Sequence, residues 1–234
     1  MWPIPTLKHK LVSVIFSPDA LVCSWIEKTN NGSSPLLLRA YKRYPLNNLE
    51  LEHCTIFNPT IIKKYISSFL QQYDCADAFV TFVLRGPGVT EQFVAMPTST
   101  PHRTDFGIAS NSRSLLWEYR YVYSNDHGQF VFYVYSVPRS LVLQYQLLAI
   151  AAQCNLITMT TQTMALLSAY KNIFGTAFRR SQLAVDMMRC NNTIDDLIGI
   201  DTVNRMISGA GHIVGDERLS VAAAAGLFCS ERLE

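Results

Sequence analysis

Few side chains in this sequence combine the type and the spacing that catalysis or metal binding requires. The six cysteines form no CxxC pair, and the five histidines have no metal-type spacing. No Gly-x-Ser-x-Gly turn, which exposes a nucleophilic serine in many hydrolases, is present. Asp195 and Asp196 are adjacent and would point in different directions on a helix, so we interpret them as charges near a helix N-terminus. The sequence therefore predicts no catalytic residue and no metal site.

Two glycine-containing turns could contact a phosphate group. Arg85-Gly86-Pro87-Gly88 lacks the Gly-Lys-Ser/Thr ending and the following helix of a P-loop. Gly209-Ala210-Gly211 is a Gly-x-Gly step, which either contacts a ligand or only provides a turn with positive φ. Both interpretations of the second turn remain open at this point.

The composition favours a folded protein of the cytoplasm. Hydrophobic residues make up 49% and charged residues 16%, which argues against disorder, and the net charge of +2 argues against nucleic-acid binding. The widely spaced cysteines indicate reduced, mostly buried thiols. No secretory signal and no run of 18 apolar residues is present, so we expect no direct membrane insertion.

The hydrophobic pattern predicts alternating strands and helices. Strands 11–16, 20–27 and 36–44 form a meander, Asn58-Pro59 opens a helix, and strand 79–84 runs parallel to the first. The later elements are a module beginning at 89 with a short helix and strands 115–123 and 129–137, helix 138–154, strand 156–159, helix 163–174, strand 183–188, helix 193–198 and helix 219–228.

The two module strands are rich in large aromatic side chains. Tyr119, Tyr121 and Tyr123 share one face by the period of two, while Leu116 and Arg120 share the other. Such side chains either anchor a binding partner or pack on the module's own helix. The sequence does not decide between these roles for any single residue.

Three stretches carry a resemblance to a known family. The first is the strand Leu38–Leu46 followed by the unit 58–84 with its ending Leu84-Arg85-Gly86-Pro87-Gly88. The second is the strand Leu116-Trp117-Glu118-Tyr119-Arg120 with the segment 138–174 that follows, including Ala165-Leu166, and the third is the small-residue helix Ser220–Phe228. Their order resembles the actin-like (ribonuclease H-like) fold of the PilM and HofM proteins of type IV pilus and DNA-uptake machines.

The resemblance implies an α/β fold with an inserted αββ module and a shortened second half. The first ribonuclease H-like lobe would cover 1–88 and the module 89–137. The stretch 138–234 would complete the first lobe and form the shortened second lobe, because no room for a second meander exists between strand 183–188 and Gly209.

The resemblance also shows where a nucleotide would bind. Actin-like ATPases hold phosphates in two hairpin turns, and here the first is Ser17-Pro18-Asp19, without glycine and with a proline that lacks an N–H. The second, Arg189–Asn192, also lacks glycine. Candidate contacts in this degenerate site are Ser17, Asp19, Gly209 and Gly211. We expect ATP binding to be weak or lost, no other cofactor, and no enzymatic activity.

The family resemblance implies a scaffold located in the cytoplasm, peripheral to the inner membrane. Its PilM-like relatives bind the short cytoplasmic tail of a PilN-like bitopic protein in a groove between the main lobe and the module. The candidate partner-binding residues are Arg85, Trp117, Tyr119 and Tyr121. The alternatives are the cytoplasmic domain of a GspL-like type II secretion protein with a GspM-like partner, contact with a pilus or secretion ATPase, and an actin-like ATPase or kinase.

Overall fold

The computed structural model describes residues 10–28, 36–107, 114–165 and 207–208. The predicted strand 183–188 and helices 193–198 and 219–228 lie outside these residues, as do Gly209, Gly211 and most of the predicted helix 163–174. The shortened second half is likewise a prediction about residues that the structure does not describe.

Two sheets, a short hairpin and two helices make up the described chain. The strands are β1 (Lys10–Ser17), β2 (Ala20–Lys28), β3 (Leu36–Pro45), β4 (Leu51–Glu52), β5 (Thr55–Ile56), β6 (Phe79–Leu84), β7 (Thr90–Met96), β8 (Leu115–Ser124), β9 (Phe130–Pro138), β10 (Asn155–Thr161) and β11 (Ile207–Ser208). The helices are α1 (Pro59–Gln72) and α2 (Arg139–Ala151), with a short 3₁₀ helix at Arg103–Phe106.

The large sheet has the strand order β10-β6-β1-β2-β3-β11. The meander β1-β2-β3 is antiparallel, whereas β6 runs parallel to both β1 and β10. The predicted meander and the predicted parallel strand are therefore confirmed. Both faces of β1 are buried, as Val14 on one face and Ile15 on the other demonstrate, which explains its continuous apolar sequence. We call this sheet with α1 and α2 the main lobe.

Helix α1 begins where the sequence predicts. The Asn58 side-chain oxygen accepts a hydrogen bond from the Ile61 amide at 3.3 Å, and Pro59 occupies the first turn. Its apolar stripe is buried against the sheet through Ile62 and Ile66. Helix α2 covers the same face of the sheet, and Tyr145 packs its ring edge-on against Phe16 at 4.6 Å between ring centroids.

The hairpin β4–β5 was not expected from the sequence. Its turn residues His53 and Cys54 have φ of 50° and 65°, a left-handed pair that Asn-Gly usually signals. Each strand has only two residues, which is too short for a period of two to be recognised. Gly88 lies so close to this turn that a Cβ there would sit 2.1 Å from the His53 carbonyl oxygen.

The described residues 89–107 and 114–137, which we call the module, contain a second sheet of three antiparallel strands in the order β7-β9-β8. Among the described residues its helix is the four-residue 3₁₀ helix Arg103–Phe106, and β7 supplies a strand in addition to the two predicted ones. The turn between β8 and β9 is closed by the Asn125 side chain, which accepts from the amides of His127 and Gln129.

A bulge in β8 changes which tyrosines share a face. The pairing with β9 shifts register between Tyr121 and Tyr123. Tyr121 therefore lies beside Phe132, while Tyr123 is buried on the opposite face with Val131. The prediction that Tyr119, Tyr121 and Tyr123 share one face was wrong for Tyr123, because a strict period of two does not allow for an inserted residue.

The four cysteines in the described part of the chain are free thiols. Cys23, Cys54 and Cys75 are buried and Cys154 is half-buried. Burial raises the pKa of each thiol, to about 11 for Cys75 and for Cys154, so all four are protonated at neutral pH.

Candidate functional site

A polar cluster of three buried hydroxyl residues and the exposed Glu91 fixes the module on the main lobe at the end of β10. The hydroxyl of Tyr133, a buried residue of β9, donates a hydrogen bond to the Glu91 carboxylate and lies 2.6 Å from the Thr161 hydroxyl. Thr163 donates to the same carboxylate at 3.1 Å. Burial and the adjacent Glu91 carboxylate raise the pKa of Tyr133 well above its usual value, so the hydroxyl keeps its proton.

Thr161 also begins the helix that follows β10. The Thr161 hydroxyl oxygen accepts from the Met164 amide at 3.2 Å, as expected for an N-cap residue. The helical turn 162–165 confirms the start of the predicted helix 163–174. The Thr161 side chain thus joins the end of β10, the start of the helix and the module. These contacts fix the residues that border the adjacent space.

That space is a cleft of about 210 Å³ between β8 of the module and β10 of the main lobe. Its lining is mostly apolar and comes from four places: β8, β9, the ends of the parallel strands β6 and β10, and α2. The lining residues are Leu84, Leu116, Trp117, Glu118, Tyr135, Val137, Val142, Met159, Thr160 and Thr161. We call this set the cleft.

The charged residue in the lining of the cleft is Glu118. Its carboxylate accepts from the Tyr135 hydroxyl at 2.5 Å and from the Arg120 Nε at 3.1 Å. Burial raises the pKa of Tyr135 above its usual value, and the hydrogen bond to Glu118 is the second largest cause of this increase. Tyr135 therefore stays a neutral donor, and the carboxylate is held in place at one end of an apolar wall.

Two strand edges border the cleft. In the described residues β8 pairs only with β9, and β10 pairs only with β6, so each has one edge without a strand neighbour. A strand edge presents backbone donors and acceptors to which an extended chain can add, while alternate side chains enter pockets beside it. The arrangement is suited to an extended peptide with apolar side chains.

The structure separates the predicted partner-binding residues. Trp117 contributes to the cleft, and Arg85 directly follows the lining residue Leu84. Tyr119 and Tyr121 lie on the face of the module sheet opposite Leu116 and Glu118, where Tyr119 packs on Phe106 at 4.9 Å between ring centroids and the Trp117 ring stacks on Tyr119. Arg85 lies next to the β1–β2 turn, since its amide donates to the Phe16 carbonyl at 3.0 Å.

The β1–β2 turn contains the two described candidates for nucleotide contact. Ser17 is buried and Asp19 follows Pro18 in a two-residue turn. The Asp19 carboxylate pairs with the Arg43 guanidinium at 2.5 Å, and its carbonyl accepts from the Leu46 amide. Pro18 lacks an N–H, so this turn has fewer backbone donors for a phosphate than a glycine turn would have.

Neither a metal cluster nor a membrane-spanning helix is found in the part of the chain that the structure describes. No three His, Cys, Asp or Glu side chains lie close enough there to hold an ion. Within the same residues, no helix has the length and apolar character needed to cross a bilayer.

Several cleft residues were not identified from the sequence. Val142, Met159 and Thr160 fit ordinary core patterns of a helix and a strand. Glu118 carried a usable signal, because a lone acid between aromatic residues of a strand is unusual. The distance in sequence between β8 and β10 hid their juxtaposition, which depends on how the module docks.

Comparison with known proteins supports the fold. No family model and no curated protein matches the chain. Among solved structures, a chain of the PilM-PilN type IV pilus biogenesis complex is similar, with a TM-score of 0.55, 12% identity, 77% of this chain covered and 52% of that chain. The predicted fold class, α/β and actin-like with the resemblance to PilM, is confirmed.

Two further structures are similar at lower scores. The cytoplasmic domain of EpsL, an inner-membrane component of the Vibrio cholerae type II secretion system, has a TM-score of 0.41 and 12% identity, covering 67% of this chain and 59% of that one. A Bacteroides thetaiotaomicron protein with an actin-like ATPase fold and unknown function has a TM-score of 0.36 and 11% identity, covering 74% and 61%. The chain spans between about half and three fifths of the length of these three structures.

Proposed function

We propose that this protein is a cytoplasmic scaffold of a type IV pilus or a related secretion or DNA-uptake apparatus. Its cleft binds the cytoplasmic tail of a PilN-like inner-membrane assembly protein, which places the scaffold at the inner membrane. The observation that carries the proposal is the position of the cleft, between the module and the main lobe of a PilM-like fold.

The chemistry of the cleft specifies the segment that it would take. Leu116, Val137 and Met159 favour an extended tail with aliphatic side chains at alternate positions. Glu118, whose carboxylate already pairs with Arg120 at 3.1 Å, adds a fixed hydrogen-bond acceptor at the wall, which favours a donor group in the tail over an acidic residue.

A co-purification experiment tests this function. The full chain is expressed together with a PilN-like bitopic inner-membrane protein, and detergent-solubilised membranes are assayed for both. We expect Leu116→Glu to abolish recovery, because it places a second carboxylate in the apolar wall. Tyr121→Glu, which charges an exposed residue on the other face of the module, is the matched control and should retain it. If the bitopic protein is recovered equally with both variants, the cleft is not its binding site.

The proposed scaffold does not hydrolyse ATP. Pro18 and the pairing of Asp19 with Arg43 support this part of the proposal, because they remove a backbone donor and engage the acid that would organise Mg²⁺. We predict that calorimetric titration of the full chain with Mg-ATP detects no micromolar binding. Binding in that range, or turnover of ATP, would replace the scaffold with an actin-like ATPase or kinase.

A further inference from the structure

The outer side of α2 carries an exposed apolar stripe that the cleft does not use. Leu143, Leu147 and Ile150 follow the i, i+4, i+7 spacing of one helix face, and each is more than half exposed. The opposite side of the same helix is buried in the core through Tyr145 and Leu148. The helix is therefore apolar on both sides, which is unusual at a surface in water.

The hairpin β4–β5 extends this stripe. The Ile56 amide donates to the Gln144 side chain at 3.3 Å, so β5 lies alongside α2, and the next residue, Phe57, is exposed. Leu49 is 82% exposed beside it, since Glu50 accepts from the Phe57 amide. We call Leu49, Phe57, Leu143, Leu147 and Ile150 the outer face.

The charged residue next to the α2 part of the outer face is Arg139, the first residue of the helix, which lies one turn before Leu143. No Asp, Glu, Lys or Arg occurs from Ser140 to Thr163. At exposed fractions between 52% and 82%, the five residues present on the order of 600 Å² of mostly apolar surface, the upper end for one patch on a soluble monomer. Such a surface indicates an interface.

We propose that the outer face pairs with its own copy in a symmetric dimer. Pairing would remove on the order of 1,200 Å² from water, which reaches the size of specific, stable interfaces. A surface without charge in its centre meets no repulsion from an identical surface. A two-fold axis perpendicular to α2 makes the two helices antiparallel, which also opposes their dipoles. This proposal is independent of what the cleft binds.

Charge-swap variants test the dimer. Leu147 lies at the middle of the α2 stripe and so nearest to the axis. We expect the full chain to sediment as a dimer, and Leu147→Lys and Leu147→Glu each to weaken self-association by at least roughly tenfold, since like charges would face each other. An equimolar mixture of the two variants should restore a heterodimer, which a misfolded protein could not do.

The control is Tyr121→Glu, which charges an exposed residue on the module and should leave the dimer intact. A wild-type protein that stays monomeric, or Leu147 variants that stay dimeric, would overturn the proposal. A monomer whose thermal midpoint falls sharply on Leu147→Glu would also overturn it, because the face would then be covered by the chain itself. Flotation of a wild-type monomer with anionic vesicles that is lost in Leu147→Glu would overturn the proposal and assign the face to lipid.

Discussion

Tyr145 joins α2 to the β4–β5 hairpin through a single buried hydrogen bond. Its hydroxyl donates to the Cys54 carbonyl at 2.8 Å, and its ring packs against Phe16 and Phe82. Phenylalanine would keep the ring contacts and leave the carbonyl without this donor. The hydroxyl therefore contributes a well-defined share of stability that can be measured by its removal.

We predict that Tyr145→Phe lowers the free energy of unfolding by about 1–3 kcal/mol, the cost of a buried carbonyl without its partner. Urea denaturation followed by circular dichroism measures the change. Tyr121→Phe is the control, because its hydroxyl meets Ser124 at the surface, and it should change stability by less than about 0.5 kcal/mol. Equal effects of the two substitutions would contradict the assigned hydrogen bond.

The buried thiols give the protein a stability that depends on alkaline pH. Burial raises the pKa of Cys75 and Cys154 from 9.0 to about 11, and of Cys23 further. Below pH 9 the thiols are protonated in both states and contribute no pH dependence. Above pH 9 the unfolded chain loses these protons first, so the stability falls as pH rises.

We therefore predict a free energy of unfolding that is constant with respect to the thiols up to about pH 9 and then decreases by up to about 1.4 kcal/mol per pH unit for each buried thiol. Chemical denaturation at pH 8, 9 and 10 tests this. Cys154→Ala, at the half-buried position, should reduce the slope. A slope unchanged between pH 8 and 10 would mean that the thiols titrate freely in the folded protein.

Residue types alone did not place the aromatic side chains of the module. The alternation in β8 is correct up to Tyr121, and Trp117 and Tyr119 do share a face with ring centroids 5.8 Å apart. The bulge then moves Tyr123 to the buried side. A bulge depends on the pairing with β9 rather than on any residue of β8, so the sequence of one strand cannot reveal it.

At the scale of elements, the close packing of the loop after β6 on the β4–β5 hairpin is the most restrictive feature. Gly88 approaches the His53 carbonyl more closely than any side chain would permit. We predict that Gly88→Ala lowers the free energy of unfolding by about 2–3 kcal/mol, because backbone must move. Thermal unfolding measures it.

The matched control for Gly88 is Gly128→Ala in the turn between β8 and β9. Gly128 has a φ of 71° but open space around its Cβ position, so alanine there costs only the strain of a left-handed residue, about 1 kcal/mol. If Gly88→Ala lowers the free energy of unfolding by less than Gly128→Ala does, the loop after β6 is not packed on the hairpin as described.

Elements with strong local signals were predicted from the sequence. Asn58-Pro59 marked the start of α1, and continuous apolar runs marked β1 and β6. The hairpin β4–β5 was missed because its left-handed turn uses His53 and Cys54. These residues adopt positive φ only where packing demands it, here against Gly88 and under the Tyr145 hydroxyl.

At the scale of the whole molecule, the order of elements predicted the fold, whereas the cleft required the docking of the module. The strands β8 and β10, which β9 and α2 separate in the sequence, cannot be placed side by side from their own patterns. Tyr133, Glu91 and Thr161 make that contact, and none of them belongs to a recognisable motif. The predicted domain limits 1–88, 89–137 and 138–234 remain predictions.

The most direct test of the central claim is a titration that uses Trp117 as its reporter. A synthetic peptide with the cytoplasmic N-terminal tail of a PilN-like bitopic protein is added to the full chain, and tryptophan fluorescence is followed. We predict a saturable change in fluorescence in the wild type, which is lost in Leu116→Glu and in Trp117→Phe. Calorimetry should show that Tyr121→Glu still binds the peptide. A tail that does not bind, or that binds Leu116→Glu with unchanged affinity, would contradict the assignment of the cleft.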